Sequence, residues 1–292
     1  MRKNDGVKKV FLHARPFLKN VADLKKIVNF LREKKIEISA TADAQKYFSE
    51  KMPPANFSER FDAGILFGGD GTILGAVQKM RDFSTPIFSI SAGNLGFLTE
   101  FLPDDFEKNF DLFLEKKLKI DERALLKIEI QNQKKSFLAL NEAVVGQRGN
   151  FRMAEIRAEI DGKCLTIYRA DGVIVATPTG STAYNLSAGG PLVHPAFSAM
   201  ILTPIAPHSF TQKPLILPRE KTIFLRESRK NSAPLALAID GQKIIPLEKN
   251  DEISIKIADE KMRFLRRPEE HFFKTIRRKL FWGAGNSEKC EI

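Results

Sequence analysis

Gly64-Ile-Leu-Phe-Gly-Gly-Asp-Gly-Thr-Ile-Leu-Gly75 is the stretch on which the reading of this chain turns. Gly64 to Phe67 is an apolar run of strand length. From Thr72 to Met80 the apolar residues Ile73, Leu74, Val77 and Met80 fall at helical spacing. Between them lie Gly68, Gly69, Gly71 and Asp70. Glycine lacks a Cβ, so backbone N–H groups can come close to another group there. A helix starting straight after such a turn adds unpaired N–H donors and a partial positive charge. Strand, glycine turn and helix together are a common phosphate cradle, here Gly68, Gly69, Gly71 and Thr72. A carboxylate beside phosphate is repulsive unless it handles a proton or holds a metal ion, which singles out Asp70. The plain alternative is a tight strand-to-helix turn in which Asp70 or Thr72 caps the helix. The dinucleotide fingerprint G-x-G-x-x-G fails, because Gly69, Gly71 and Gly75 are spaced one residue too long. No Gly-Lys-Ser/Thr follows either.

Outward from this stretch, strand and helix patterns alternate. Val7 to Leu12, Ile36 to Ser39 and Pro86 to Ile90 read as strands. Phe17, Val21, Leu24, Val28 and Leu31 mark an amphipathic helix, and Ala42 to Ser49 is a second helical segment. Alternation of this kind predicts a parallel sheet covered on both faces. Ligands of such sheets bind beyond the carboxyl ends of the strands, where Gly68–Thr72 falls. Ala92 to Thr99 is a second glycine loop. Its Leu95 and Phe97 are either tucked into the core or form an edge that packs on a flat ligand ring. Asp104 to Leu118 reads as a helix, acidic at its start and basic at its end, closing a first domain over residues 1–120.

Composition sets outer bounds. A chain of 292 residues makes one large or two ordinary domains, and 43% hydrophobic residues supply a core. The net charge of +11 favours anionic partners without choosing among them. There is no apolar run of membrane-spanning length, and the charged start lacks a signal-peptide core. Cys164 and Cys290 lie far apart, which fits a reduced, cytoplasmic protein. His13, His194, His208 and His271 show no metal-ligand spacing and read as structural or surface residues.

Beyond Lys119 the pattern changes to short strands: Leu126 to Ile130, Phe137 to Val145, Ile156 to Ile160 and Leu165 to Tyr168. Arg148-Gly-Asn and Asp161-Gly-Lys are hairpin turns, and Ile253, Ile255 and Ile257 alternate. Residues 121–265 therefore read as an all-β domain. The tail, 266–292, carries a basic helix from Glu269 to Leu280 with Phe272, Phe273, Ile276 and Leu280 on one stripe. That helix is expected to fold back on the first domain rather than lie on a membrane.

Arg169-Ala-Asp-Gly-Val-Ile-Val-Ala-Thr-Pro-Thr-Gly-Ser-Thr-Ala-Tyr-Asn-Leu-Ser-Ala-Gly-Gly190 is a second site-like stretch. Val173 to Ala176 is a buried strand, followed by a turn full of hydroxyls. Ser181 or Thr182 is placed to cap a short helix running to Ser187. Small residues there let a ligand touch backbone, and Tyr184 offers a ring and a hydroxyl.

Taken in order, Gly68-Gly-Asp-Gly-Thr72, Gly93-Asn-Leu-Gly-Phe-Leu98, Asn141-Glu142, Asp171-Gly172, Thr177-Pro-Thr-Gly-Ser-Thr-Ala-Tyr184, Ser187-Ala-Gly-Gly-Pro191, Thr203-Pro-Ile-Ala-Pro-His208 and Asp240-Gly-Gln242 resemble the NAD kinase family. The Gly-Gly-Asp-Gly-Thr motif also occurs, in close versions, in lipid kinases and 6-phosphofructokinases. The run from Asp171 to Pro191 is far more specific. One departure is Ser91, where the family usually carries asparagine.

The resemblance implies an α/β first domain, a sandwich-like β domain, and a site between them. It implies phosphoryl transfer from ATP, or polyphosphate in some members, to the 2′-hydroxyl of the adenosine ribose of NAD. It further implies a divalent cation such as Mg²⁺ and a homodimer or homotetramer, with neither nucleic acid nor membrane as partner. Asp70 stands at the position of the proton acceptor, with metal binding as a competing role. Asn141 and Glu142 would hydrogen-bond the dinucleotide, and Arg152 and Arg169 match ligand-contacting positions. Asp171 would accept from an amide or amine of the substrate. Thr179, Thr182, Ala183, Tyr184, Asn185, Leu186 and Ser187 would line the adenosine pocket, beside Phe97. Gln242 would add an amide contact. No residue set is assigned as a metal cage. Two rivals are a lipid kinase, which should lack Thr177–Tyr184, and a basic nucleic-acid-binding regulator, supported by the net charge alone.

Overall fold

The computed structural model describes residues 7–147, 153–228, 234–268 and 272–282. The first half alternates as expected: β1 (Lys9–Ala14), α1 (Ala22–Glu33), β2 (Glu37–Ala40), α2 (Ala42–Gln45), β3 (Ala63–Gly68), α3 (Asp70–Val77), β4 (Ile87–Ser91) and α4 (Phe106–Leu114). The strands run parallel in the order β2-β1-β3-β4. Every residue of β3 is buried, as its unbroken apolar run requires. One face of the sheet packs on α1 and α4 through Leu24, Val28, Leu31, Phe106 and Phe110. The other face packs on α3 through Ile73, Leu74 and Val77. Phe88 on β4 meets the rings of Phe101, Phe106, Phe110 and Phe113 at 5.3–5.8 Å. Such pairs add about 0.5–1.5 kcal/mol each beyond their area burial.

Two helices are shorter than predicted. α2 stops at Gln45, and α4 stops at Leu114, where Glu115 closes it and Lys116 turns to φ 58°. The basic residues expected to complement the end of α4 therefore lie outside it.

The second half is mostly β, with a 3₁₀ turn and a short helix, α5 (Tyr184–Ser187), among its described residues. It comprises β5 (Lys119–Ile130), β6 (Lys135–Ala139), β7 (Glu142–Gln147), β8 (Ala154–Ile160), β9 (Lys163–Ala170), β10 (Gly172–Ala176), β11 (Ala199–Ile205), β12 (Leu215–Pro218), β13 (Ile223–Glu227), β14 (Leu235–Ile239), β15 (Lys243–Pro246) and β16 (Glu252–Arg266). A six-stranded antiparallel sheet, β12-β11-β10-β7-β14-β15, packs face to face on β5, β8, β13 and β16. Val145, Val173, Val175, Leu237 and Ile239 from the first layer meet Leu126, Ile128, Ile156, Leu225 and Ile255 from the second. Ile174 and Ala176 point the other way, under Val193, so β10 is buried on both faces. Asp161 and Gly162, at φ 50° and 77°, form the predicted hairpin, and Asp240 and Gly241, at 49° and 62°, form another.

Two features were not expected. The run Phe137–Val145 is broken into β6 and β7 at Leu140–Asn141. The two halves also share one sheet: β16 pairs with β5 and β13, and beside Ile87 it extends the parallel strands. A register shift between Ile257 and Lys261 lets this 15-residue strand serve both halves. Leu125, Leu140, Met262 and Phe264 correspondingly pack in the α3 core.

The last helix, α6 (Phe272–Leu280), returns to the molecule with Ile276 buried and Phe273 exposed. Its Phe272 and Phe273 rings lie 4.6 and 5.7 Å from the His194 ring of the second half. No helix among the described residues is long and apolar enough to cross a membrane. The Arg148-Gly-Asn turn, Arg152, His271, Cys290 and the start of the predicted tail helix lie outside the described residues.

Candidate active site

The capping reading of the glycine turn does not hold. α3 begins at Asp70 itself, with Gly69 in the cap position and no side-chain cap. The Asp70 carboxylate instead reaches the second glycine loop. There the Phe97 N–H donates to Oδ2 at 2.9 Å and the Leu98 N–H to Oδ1 at 3.1 Å. Gly96 is required at this spot, because a Cβ there would collide with the carboxylate. Ser91 closes the same loop, its hydroxyl donating to the Asn94 carbonyl at 2.8 Å and accepting from Gly93 N–H at 3.2 Å. Leu95 and Phe97 are neither fully buried nor fully exposed.

The hydroxyl-rich stretch also differs in detail from a capped helix. Residues Thr179–Thr182 form a 3₁₀ turn and Tyr184–Ser187 one helical turn, capped by no side chain. The Ser181 hydroxyl exchanges hydrogen bonds with Val193 at 3.1 Å instead. The Asn185 amide is buried, accepting from Thr203 Oγ1 at 2.7 Å and donating to the Ser181 and Pro191 carbonyls. Tyr184 and Ser187 are exposed, and Thr182, Ala183 and Leu186 are half-buried.

The two segments meet. Phe97 and Leu98 from one side, and Thr179 and Thr182 from the other, line a single cavity of about 380 Å³, together with Arg123 and Arg266. His194 and Phe272 of α6 close its far side. Asp70 stands behind the Phe97–Leu98 peptide rather than in this wall.

Asn141 and Glu142 sit at the break between β6 and β7, held by one carboxylate. Asp240 accepts from the backbone N–H groups of Leu140 (2.9 Å), Asn141 (2.7 Å) and Glu142 (3.0 Å). Gln78, just past α3, donates to it at 3.3 Å. The Asn141 carbonyl accepts from Thr177 N–H at 2.8 Å, and Gly180 lies so close to that carbonyl that a Cβ would clash. Asn141 Oδ1 and Glu142 Oε2 are buried with no hydrogen-bond partner among the described residues. Burial, and then the nearby charge of Asp240, push the Glu142 carboxyl up to about 8. Burial raises Asp240 to about 6 against the pull of its backbone donors. Buried polar atoms are ordinarily paired, so two orphans on consecutive residues make Asn141 and Glu142 candidate ligand contacts. Gln242 is exposed and comes beside Gly75 on α3.

Arg169 and Asp171 are not brought to this place. Both are exposed, and Arg169 pairs with Glu155 at 3.3 Å. They precede β10, whereas Thr177 follows it, a separation of about 20 Å at the rise of a strand.

Two groups of residues carry roles that their sequence did not announce. Asp240 is in the Asp-Gly-Gln motif, but nothing local shows that its carboxylate pins residues 140–142. Arg123, buried, and Arg266, partly buried, are arginines within ion-pair distance of Asp121, at 2.7 and 3.2 Å. An arginine in a strand otherwise facing a core was the available signal for Arg123. His194, read as structural or surface, lines the cavity.

Comparison with known proteins agrees with this layout. Residues 11–118 match the family described as the ATP-NAD kinase N-terminal domain, and residues 140–267 match its C-terminal domain. The NAD kinase of Legionella pneumophila strain Corby is 34% identical over 284 residues, covering 94% of this chain and 96% of the relative. The crystal structure of yeast NADH kinase complexed with NADH superposes with a TM-score of 0.84 at 26% identity, covering 99% of this chain and 91% of that one. An Archaeoglobus fulgidus NAD kinase in complex with ATP gives 0.75 at 28% identity, with 94% and 98% coverage. With both family domains in order and full-length relatives on either measure, the chain belongs to the NAD kinase family.

Proposed function

We infer that this protein transfers the terminal phosphoryl group of ATP to the 2′-hydroxyl of the adenosine ribose of NAD, giving NADP and ADP. The observation that carries the reading is the Asp70 carboxylate at the start of α3, with both oxygens held by Phe97 and Leu98 N–H groups. Phosphoryl transfer depends on positioning and charge neutralisation more than on a strong nucleophile. A carboxylate fixed in this way orients the ribose hydroxyl and takes its proton as the ribose oxygen bonds to phosphorus and the bond to ADP breaks. The Gly68–Thr72 turn supplies backbone donors for the transferring phosphate.

Asn141 and Glu142 supply the unpaired oxygens for the adenine amino group or ribose hydroxyls. Thr179, Thr182 and the residues through Ser187 border the adenosine, with Phe97 against a ring. Arg169 and Asp171 reach a dinucleotide only when a second copy presents them, which accords with the homodimer or homotetramer expected from the resemblance. Among the described residues no three His, Cys, Asp or Glu side chains converge as a metal cage. A magnesium ion would thus be held chiefly by the donor's phosphates, the usual habit of this ion, where it neutralises developing charge. Polyphosphate is a second candidate donor, and the cytoplasm is the proposed location.

The test is a coupled assay of NADP formation with ATP or polyphosphate as donor and NAD or diacylglycerol as acceptor. NADP formation that depends on a donor supports the reading. Phosphate transfer to diacylglycerol and not to NAD overturns it.

A further inference from the structure

We propose that Arg266, at the end of the last strand, is a positioning residue for phosphoryl transfer, fixing Leu98, whose N–H orients Asp70, against the Thr179 wall of the cleft. The inference rests on the role given above to Asp70. Arg266 borders the cavity, but its hydrogen bonds go to Leu98, Glu100 and Asp121 rather than to the glycine turn, so it acts on Asp70 through Leu98.

The contacts form an unbroken line. Leu98 N–H donates to Asp70 Oδ1 at 3.1 Å, and the carbonyl of the same residue accepts from Arg266 Nη1 at 3.3 Å. Arg266 Nε donates to Asp121 Oδ2 at 3.2 Å, and Nη1 donates also to Glu100 Oε2 at 3.1 Å. Asp121 Oδ2 accepts from Arg123 Nε at 2.7 Å, and Arg123 Nη1 donates to Thr179 Oγ1 at 3.4 Å. One end of this line is the carboxylate proposed to take the proton. The other is a hydroxyl on the bend proposed to border the adenosine. Both walls of the cavity are thereby referred to the guanidinium of Arg266.

Two features make this more than a structural ion pair. Glu100 and Arg123 are only 5% and 8% exposed, so the line runs through a region of weak screening. The planar fork of arginine sets angles as well as charge, which an ammonium on a flexible stem does not. Burial alone would push the Asp121 carboxyl up, yet the hydrogen bonds and charges of Arg123 and Arg266 outweigh it and hold it below the usual range. The network is thus charge-satisfied and stiff. Its rigidity is passed to a single residue, Leu98, whose N–H bonds Asp70 and whose carbonyl accepts from Arg266 and from Ser89 Oγ.

The experiment is a double-mutant cycle between R266K and D70N, reading kcat, KM for NAD and KM for ATP, with thermal midpoints alongside. R263K is the control, because Arg263 lies on the same strand and pairs with Glu122 at 3.1 Å without touching Leu98 or Asp121. R266K is expected to lower kcat about tenfold with both KM values within about threefold, and R263K to leave them unchanged. In the D70N background the same arginine change is expected to cost less than about threefold, because the carboxylate it serves is gone. An equal fold-loss in both backgrounds, a loss in KM alone, or wild-type turnover by R266K overturns the inference. If R266K does not fold, R123K enters the same cycle with the same outcomes. Full turnover by D70N sinks the role of Asp70 and this inference together. A crippled D70N with an additive R266K sinks the inference alone.

Discussion

Two buried polar clusters flank the cleft, and they are built on opposite principles. Around Asp121, two arginines face two carboxylates, with hydrogen bonds of 2.7–3.2 Å between them. Around Asp240 there is no cation among the described residues: two carboxylates share the space with backbone N–H groups and an amide. The first holds its central carboxyl below the ordinary range, and the second lifts both of its carboxyls above it. The first leaves one orphan, Arg266 Nη2, whereas the second leaves the adjacent orphans Asn141 Oδ1 and Glu142 Oε2. A charge-balanced cluster fixes geometry. An under-satisfied one keeps its bonding capacity for something that arrives.

The largest expected effect tests Asp70. Asp70→Asn keeps size and loses the proton acceptor, so kcat is expected to fall at least about a hundredfold with KM for NAD nearly unchanged. Retained turnover in steady-state assays would remove Asp70 from the chemistry, and both clusters would lose their common purpose. Next is Asp240→Ala. It strands three buried N–H groups, and a loss of about 2 kcal/mol or more in urea unfolding is expected, with Asp240→Asn costing less. Equal stability of the two variants would show that the carboxylate does not pin residues 140–142. Asn141→Ala removes one orphan acceptor without breaking the fold. KM for NAD is expected to rise about tenfold while the thermal midpoint moves little. The opposite pattern would make Asn141 structural.

The smallest effect is a pH dependence that separates the clusters by sign. A carboxyl whose folded value is raised binds its proton more tightly folded than unfolded. Its stabilising effect is therefore full below the unfolded value and fades as pH rises to the folded one. For Glu142 that window runs from 4.5 to about 8, and for Asp240 from 3.8 to about 6. The thermal midpoint of the ligand-free protein is thus expected to decline between pH 6 and 8, and Glu142→Gln to flatten the decline by a few degrees. Asp121 contributes in the other sense, losing stability only in acid. A decline unaffected by Glu142→Gln would place the titrating group elsewhere.

The parts legible in the sequence were those with local causes. β3 and β10 are buried on both faces, so each announces itself as a solid apolar run. The glycine turn and the Asp161–Gly162 hairpin follow from backbone freedom within a few residues. The break at Leu140–Asn141 was hidden, because the apolar pattern continues through it and its cause is the Asp240 carboxylate, 100 residues away from Leu140. β5 and β16 looked short because charged residues interrupt them at Asp121–Arg123 and Asp259–Lys261; Asp121 and Arg123 lie opposite Phe264 and Met262, and the register shift falls across Asp259 and Glu260. Motif order placed Arg169 and Asp171 in the site list, but only the length of β10 shows how far they lie from Thr177.

The final strand also carries a consequence for synthesis. On the side of β4 away from β3, Phe101 bridges Ile90 within a few residues, but Ile87 meets Phe264 only 264 − 87 = 177 residues later in the chain. At about 5–20 residues per second a ribosome needs roughly 9–35 s to cross that interval. During it the nascent first half leaves the Ile87 end of that strand edge uncovered, the kind of surface that recruits other chains. Release of the polypeptide before Glu252 would leave that edge open for good, so truncated products are expected to aggregate rather than persist as a folded first half.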